Sequence, residues 1–221
     1  MESNGLDVGR ARESLLDAAL AHVPFDGWSA ACLDRAAADA GLEPGLVRAI
    51  CPRGALDLAV AYHRRGDRAM AARLAGADLS AMRYRDRVAT AVRWRIEAAS
   101  REPVRRAAAL FALPQNAPVG AGLVWDTADA IWTALGDTAR DVNWYTKRAI
   151  LAGVHSATVL FWLGDRSEGD AATWDFLDRR IEDVMRFERF KAKVRDNPAM
   201  ARILAGPLRV LSGIRAPGAA R

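Results

Sequence analysis

The feature that most restricts the fold of this chain is a long apolar run inside one predicted helix, residues 141–163. From Ala149 to Leu163 only three side chains are polar, namely His155, Ser156 and Thr158. A helix that is apolar around nearly its whole circumference is normally buried within a domain. The run is shorter than the roughly 20 residues that cross a bilayer, so it predicts a core helix instead of a transmembrane span.

The polar front of this helix carries two aromatic side chains that solvation does not require. Thr138 and Asp141 have the spacing of a capping box, which predicts where the helix begins. Trp144 and Tyr145 then stand among charged and amide side chains. Aromatic residues interleaved with charge are typical of surfaces that meet a partner. We therefore predict a partner-binding surface at this end of the helix.

The rest of the chain predicts an all-α fold. Alanine and arginine dominate its 221 residues, and segments with the alternating pattern of strands are missing from the sequence. Apolar residues recur at helical spacing in about nine segments. The predicted helices cover residues 10–23, 30–40, a short stretch before Pro52, 55–75, 80–100, a stretch opened by Glu102, 119–135, 141–163 and 171–190. We expect four parts: a disordered N-terminus over 1–9, a helix-turn-helix-like subdomain over 10–75, a helical domain over 76–190, and a basic linker with an amphipathic helix over 191–221.

The positive charge of the chain is concentrated at its C-terminus. The net charge is +5, and residues 186–221 hold nine Lys and Arg against two acids, a balance of +7 that leaves −2 for residues 1–185. In this tail an apolar helical face lies opposite Arg202 and Arg209, as in helices that lie in a membrane surface. Gly206-Pro207 weakens that interpretation because an interior proline kinks a helix. The alternative is a helix that packs back onto the domain or onto a dimer partner. The apolar residues of the tail are Met200, Ile203, Leu204, Leu208, Leu211 and Ile214.

The first 75 residues contain a second recognisable pattern. The run from Leu33 to Leu42, followed by Pro52-Arg53-Gly54-Ala55-Leu56, resembles the N-terminal helix-turn-helix domain of TetR-type regulators. A DNA reader needs a basic face that neutralises phosphates. Residues 10–60 instead hold five Arg and no Lys against seven acids, a balance of −2. We predict a helix-turn-helix retained for packing and no binding of nucleic acid.

The sequence offers little support for chemistry of its own. His22, His63 and His155 lie on three different predicted helices with no carboxylate spaced as a second metal ligand. Glycine-rich phosphate loops and serine nucleophile motifs are absent from the sequence. Cys32 and Cys51 sit in apolar surroundings, which suits a reducing compartment. We expect no enzymatic activity, no cofactor and no metal.

Small side chains in the buried helix leave two interpretations open. Alanine, glycine and serine at 149, 152, 153, 156 and 157 either let a neighbouring helix approach closely or leave space for an apolar ligand. Aromatic side chains on the helices before and after it, such as Trp132 and Trp174, are compatible with a filled core or with a lined cavity. Sequence patterns do not separate these alternatives.

The second half of the chain carries the most specific resemblance. Its motifs are Leu113-Pro114-x-Asn116-x-Pro118, the Trp132…Gly136-Asp137 run, Asp141-x-Asn143-Trp144-Tyr145-Thr146-Lys147-Arg148, and Thr173-Trp174-x-Phe176-Leu177-x-Arg179-Arg180-Ile181. With these motifs, residues 10–190 resemble the ubiquinone-biosynthesis accessory lipid-binding family, coenzyme Q biosynthesis protein nine. Val142 departs from the pattern, because the family has an aromatic residue there.

The resemblance implies a TetR-like bundle that no longer binds DNA and holds polyisoprenoid quinone intermediates in a hydrophobic pocket. The residues to which it assigns this lining are Trp125, Ile131, Trp132, Ala152, Ser156, Val159 and Trp174. It further implies docking of the di-iron demethoxyubiquinone hydroxylase on a surface patch. The members of that patch here would be Asp141, Asn143, Trp144, Tyr145 and Arg148.

The same resemblance implies a homodimer that touches the membrane through its C-terminal helix. The N-terminus shows neither a secretory nor a transit peptide pattern. We therefore expect a cytoplasmic protein, peripheral on the inner face of a bacterial inner membrane, ahead of a mitochondrial matrix protein. A ligand-responsive TetR-type repressor is the alternative function, since its ligand pocket would also be apolar.

Overall fold

A computed structural model describes the backbone of residues 3–139 and 142–195 and the side chains of residues 8–139 and 143–186. Asp141 and the predicted membrane helix, with Met200, Ile203, Leu204, Leu208, Leu211 and Ile214, lie outside the described residues. Within the described ranges the chain forms nine α-helices and no strand, which confirms the all-α prediction. They are α1 Ser3–Asp26, α2 Ala30–Asp39, α3 Pro44–Ile50, α4 Ala55–Ala75, α5 Tyr84–Glu97, α6 Arg101–Phe111, α7 Ala117–Ala134, α8 Val142–Gly164 and α9 Ala171–Arg195.

Most helix boundaries agree with the predicted ones to within a few residues, and the larger differences lie at the starts of α1 and α5 and at the end of α9. Helix α1 begins at Ser3, so the predicted disorder of residues 1–9 is wrong from Ser3 onward. Helix α5 begins at Tyr84, although the sequence predicts helix from residue 80. Asp78 explains the second difference, because its carboxylate accepts a hydrogen bond from the backbone N–H of Ser80 at 2.9 Å. Such a local bond favours a turn over a helix.

The chain forms two compact units, and neither is continuous in sequence. The first unit contains the chain up to Met70 together with Arg95–Leu123, and the second contains Ala71–Trp94 together with the chain from Val124 onward. The chain therefore passes between the units three times, after Met70, after Trp94 and after Leu123. The predicted boundary between residues 75 and 76 lies near the first of these positions alone. Sequence patterns missed the others because α5 and α7 each pass from one unit to the other without a break in their helical pattern.

The core of the first unit is formed by the helices of its helix-turn-helix pattern together with α1, α4 and α6. Leu15, Leu16 and Ala19 of α1 are fully buried against the other helices of this unit. Trp28 stacks near Tyr62 at 5.6 Å, and its indole N–H donates to the carbonyl of Pro103 at 3.0 Å. Each buried aromatic side chain of this size stabilises a core by about 2 kcal/mol or more. These residues belong to the hydrophobic core of the first unit.

Helix α8 is not buried on all sides, which corrects the prediction of a core helix. Its buried residues Leu151, Val154, His155, Thr158 and Trp162 follow one helical stripe. On the opposite stripe Leu160 is 66% exposed, and the ring of Phe161 stacks on Phe176 of α9 at 4.6 Å. The apolar run is wider than the face that α9 and its neighbours cover. Among the described helices, none is both long and apolar enough to cross a membrane.

A polar turn fixes α9 against α8. The carboxylate of Asp165 accepts hydrogen bonds from the Ser167 N–H at 2.8 Å and from the Thr173 N–H at 2.9 Å. The hydroxyls of both residues also donate to this carboxylate. These hydrogen bonds, led by the one from the Thr173 hydroxyl, hold the pKa of Asp165 well below its usual value. Asp165 thus acts as the cap at the start of α9.

We expect Asp165→Ala to lower the melting temperature at pH 7. The folded pKa is depressed, so the stabilisation by Asp165 is present above about pH 4 and is lost as the pH falls toward the folded pKa. The melting-temperature difference between wild type and variant should therefore shrink as the pH falls from about 4 to about 2. Thermal denaturation followed by circular dichroism measures it. A difference that stays constant over this range would show that the charge of Asp165 does not stabilise the turn.

Candidate functional site

Three aromatic side chains meet where α7 faces the beginning of α8. The ring centroids of Trp144 and Tyr145 lie 4.8 Å apart in an edge-to-face arrangement, and Trp125 of α7 lies 5.9 Å from Trp144 and 6.3 Å from Tyr145. All three side chains are partly buried. Asn143, one residue before them, is exposed. We call Trp125, Trp144 and Tyr145 the aromatic patch.

Of the five predicted partner-binding residues, the structure brings three together at this surface. Asn143, Trp144 and Tyr145 lie on the first two turns of α8. Asp141 lies outside the described residues. Arg148 was predicted as a surface contact, but only 3% of its side chain is exposed. A side chain buried to this degree offers a partner almost no surface, and its predicted role in partner binding stays a prediction.

Arg148 instead connects α8 to α7 and to the loop between them. Its Nε donates to Asp129 at 2.6 Å, and its Nη1 donates to Asp137 at 3.2 Å and to the carbonyl of Trp144 at 3.2 Å. The guanidinium carbon lies 3.9 Å from the centroid of the Trp144 ring, within cation–π distance. A planar guanidinium can lie flat against an aromatic ring while its N–H groups donate hydrogen bonds at its edge. Arg148 therefore fixes the orientation of Trp144.

Asp137 is the buried anion of this network, with 2% of its side chain exposed. Its carboxylate also accepts a hydrogen bond from Lys147 Nζ at 2.6 Å. Burial raises the pKa of Asp137, but the hydrogen bonds from Lys147 and Arg148 outweigh it and hold the pKa below its usual value. The group is therefore ionised at neutral pH and, together with Asp129, balances the charges of Lys147 and Arg148. We call Asp129, Asp137, Lys147 and Arg148 the charged clamp.

A second aromatic pair lies beside the clamp. Tyr84, the first residue of α5, stacks on Trp132 of α7 with the ring centroids 6.0 Å apart and the planes 26° apart. Lys147 Nζ lies 5.6 Å from the Trp132 centroid. Trp132 is buried, whereas 44% of Tyr84 is exposed. Burial raises the pKa of the Tyr84 phenol, which stays protonated at neutral pH.

The seven residues predicted to line a lipid pocket are distributed over several environments. Ile131 and Trp132 are buried, and Trp125 belongs to the aromatic patch. Ala152, Ser156 and Val159 are partly buried on α8. Trp174 lies on α9 beneath the Arg93 guanidinium, 4.6 Å from its ring centroid.

A groove between α5 and α9 contains only one of these seven residues, Trp174. Its volume is about 240 Å³, below the roughly 300 Å³ at which ligand pockets begin. Its remaining lining mixes charged and apolar side chains, namely Met82, Asp86, Ala89, Thr90, Arg93, Leu177 and Asp178. This groove is too small and too polar for the predicted lipid pocket, whose location stays a prediction.

Several functional candidates were not found from the sequence. Asp129, Tyr84 and Lys147 were not predicted as site residues, and Asp137 was noted only as part of a family motif. A helical-spacing argument finds neighbours along one helix, whereas Arg148 meets Asp129 across 19 positions and two helices. Among the residues that the structure describes, no group of three or more His, Cys, Asp or Glu could hold a metal ion.

The fold places this chain in a class of all-helical proteins built like TetR regulators. A TetR transcriptional regulator from Nitrosomonas europaea ATCC 19718 has this fold with a TM-score of 0.64 over 77% of this chain and 95% of that structure, at 20% identity. That identity shows the fold alone. It confirms the TetR-like architecture predicted from the sequence.

The third of the chain that holds the aromatic patch matches a family model. Residues 117–188 match the model of the COQ9 family, as the resemblance predicts. The chain is 32% identical over 187 residues to the mitochondrial ubiquinone biosynthesis protein COQ9 of Drosophila melanogaster, covering 82% of this chain and 57% of that protein. It is 30% identical over 181 residues to the human protein, covering 77% of this chain and 56% of that protein. The chain thus spans a little over half the length of these relatives.

Proposed function

We propose that this chain is a non-catalytic accessory protein of ubiquinone biosynthesis. In this proposal it takes polyisoprenoid quinone intermediates from a membrane and presents them to the di-iron demethoxyubiquinone hydroxylase. Two findings support it: the relatives are named ubiquinone biosynthesis proteins, and the family match includes the aromatic patch. The observation that carries the proposal is the patch itself, held in place by the charged clamp.

The aromatic patch has the properties of an energetic centre for a protein interface. Trp and Tyr are enriched in such centres, and each can contribute 2 kcal/mol or more when a partner excludes water from it. Its members are partly buried before binding, and the guanidinium of Arg148 lies against the ring of Trp144. Side chains that are already ordered lose less conformational entropy on association. The patch is therefore suited to docking an enzyme, with Asn143 at its rim.

The second part of the proposed function is the transfer of a lipid from the membrane to the docked enzyme. A polyprenyl tail that leaves the bilayer must be buried again, at about 25 cal/mol per Å² of apolar surface. The proposed pocket is lined by the apolar residues of α7, α8 and α9 named above. Docking at the beginning of α8 would then bring the hydroxylase next to a bound intermediate. Binding of the purified hydroxylase to the intact chain, measured by pull-down and biolayer interferometry, tests this function; no binding would contradict it.

The C-terminal segment is proposed as the membrane contact, which makes the protein peripheral on the inner face of a bacterial inner membrane. We expect deletion of residues 197–221 to abolish co-sedimentation with liposomes that contain anionic phospholipid. The reason is that the segment combines an apolar helical face with Lys and Arg, each of which adds about 1 kcal/mol near an anionic surface. Sedimentation with 30% phosphatidylglycerol vesicles measures the effect.

The control for this deletion keeps the length and charge of the tail. Leu204→Gln combined with Leu208→Gln places neutral amides on the apolar face and should also weaken sedimentation, whereas Ala219→Gln, beyond that face, should not. Unchanged far-ultraviolet circular dichroism per helical residue would show that the truncated protein folds. If the truncated protein sediments like the full chain, the membrane contact lies elsewhere.

The proposal includes a homodimer, which sedimentation equilibrium of the intact chain tests. The alternative, a TetR-type repressor, has the fold in its favour but no further observation. Helix α3, which would have to read DNA, has Arg48 as its single basic residue. A face with so little positive charge is poorly suited to a phosphate backbone.

A further inference from the structure

One buried hydrogen-bond donor of the second unit lacks an acceptor. The indole nitrogen of Trp132 is shielded from solvent, and no acceptor lies within hydrogen-bond distance among the described residues. Leaving such a group unsatisfied costs about 1–3 kcal/mol, so native structures rarely do so without a reason. Three other tryptophans show the usual arrangement: Trp28 donates to the Pro103 carbonyl, Trp162 to the Asp170 carboxylate and Trp174 to the Gly169 carbonyl, all at 2.9–3.0 Å.

The Lys147–Asp137 ion pair and the Tyr84 ring lie beside the Trp132 ring. Lys147 Nζ lies 5.6 Å from the Trp132 ring and donates one of its protons to Asp137, and 40% of the Lys147 side chain is exposed. The Tyr84 ring lies on the Trp132 ring and is itself 44% exposed. Tyr84 is the first residue of α5, and rotation of its side chain would expose the face of the Trp132 ring on which it stacks.

This combination favours one class of ligand. A ligand that satisfies an N–H group and an ammonium must accept hydrogen bonds, and one that stacks on a phenol ring must be flat. A substituted p-benzoquinone ring is flat and electron-poor, and its carbonyl and alkoxy oxygens accept without donating. An isoprenoid tail is neither flat nor a hydrogen-bond acceptor. An anion would accept hydrogen bonds, but the nearby carboxylate of Asp137 would repel it.

We propose that the Trp132 N–H binds a ring oxygen of the quinone head group, with Tyr84 as the stacking plate and Lys147 as a second donor. This inference rests on the proposed function and deepens it: Trp132, predicted only as an apolar lining residue, becomes the group that distinguishes a quinone from other isoprenoid lipids. When the lipid is bound, its ring oxygen accepts a hydrogen bond from the Trp132 N–H group.

The experiment removes the N–H group and keeps the shape of the side chain. Trp132 is replaced through codon suppression by 3-benzothienylalanine, in which sulfur takes the place of N–H. Two probes are compared by equilibrium dialysis: a ubiquinone with one isoprene unit, and squalene, an isoprenoid hydrocarbon without oxygen. We expect quinone binding to weaken about tenfold, the effect of one lost hydrogen bond, and squalene binding to stay unchanged. The melting temperature of the ligand-free protein should not fall, because no internal hydrogen bond is lost.

The same replacement at Trp28 is the matched control. Trp28 donates to Pro103 within the first unit, so there the replacement should lower the melting temperature and leave quinone binding unchanged. Unchanged quinone binding by the Trp132 replacement overturns the inference and assigns the N–H to a buried water. Equal losses for quinone and squalene also overturn it, because they show a disturbed apolar wall. If the wild-type protein binds neither probe, the proposed function fails together with the inference.

Discussion

Replacing Trp144 with alanine is expected to weaken hydroxylase binding at least 30-fold, which corresponds to about 2 kcal/mol. Trp144 makes the two closest ring contacts of the aromatic patch, to Tyr145 at 4.8 Å and to Trp125 at 5.9 Å. Its loss removes an indole ring from the patch and leaves a hollow that a partner cannot fill. The dissociation constant, measured by biolayer interferometry with immobilised hydroxylase, reports the change.

The matched control for this variant is Phe25→Ala. Phe25 is an aromatic residue at the end of α1 with 82% of its side chain exposed, and it belongs to the first unit. Its removal should change hydroxylase binding less than twofold. Both variants should keep the helical circular dichroism of the wild type, because neither side chain is part of a fully buried core. Equal binding by Trp144→Ala and wild type would exclude the aromatic patch as the docking surface.

Arg148→Met is expected to destabilise the protein by about 3 kcal/mol, the lower end of the range for breaking a buried ion pair. Methionine preserves most of the aliphatic volume, so the loss reports the charge. Asp137 remains buried with Lys147 as its single remaining cation in the clamp, which keeps the effect from being larger. Urea denaturation measures the free energy of unfolding. Trp144 also loses its cation–π contact with Arg148. We therefore expect the Trp144 side chain to become less ordered and hydroxylase binding to weaken.

Arg180→Met provides the comparison for a salt bridge in solvent. Arg180 pairs with Asp183 at 2.7 Å, but 44% of the Arg180 side chain and 46% of the Asp183 side chain are exposed. Exposed pairs contribute about 0–1 kcal/mol, so this variant should unfold at nearly the wild-type urea concentration. If the two variants lose the same stability, burial does not strengthen the charged clamp, and Arg148 does not position the patch.

The helices could be predicted from the sequence because their signals are local. Pro44 at the first position of α3, the apolar stripe of α1 and the breaks near Gly136 and Gly164 each depend on neighbours within a few residues. Trp144 and Tyr145 were predicted as a surface pair for the same reason. Their aromatic character conflicts with the polar turn in which they stand.

The remaining features depend on contacts between distant positions. Arg148 looked like a surface charge because its partners, Asp129 and Asp137, lie on α7 and in the loop that follows it. Trp125 joined the patch, and Tyr84 the neighbouring pair, only once α5, α7 and α8 were packed. The exposure of Leu160 was missed because an apolar run does not show how much of its circumference the other helices cover.

The central claim, that this protein carries an isoprenoid quinone, is tested most directly by identifying what it binds. The full chain is purified without detergent from cells that make ubiquinone, extracted with organic solvent and analysed by mass spectrometry. The expected result is a polyprenylated quinone or its phenolic precursor in a stoichiometric amount, absent from a helical protein of similar size purified in parallel. Protein that contains no isoprenoid lipid above that background would contradict the claim.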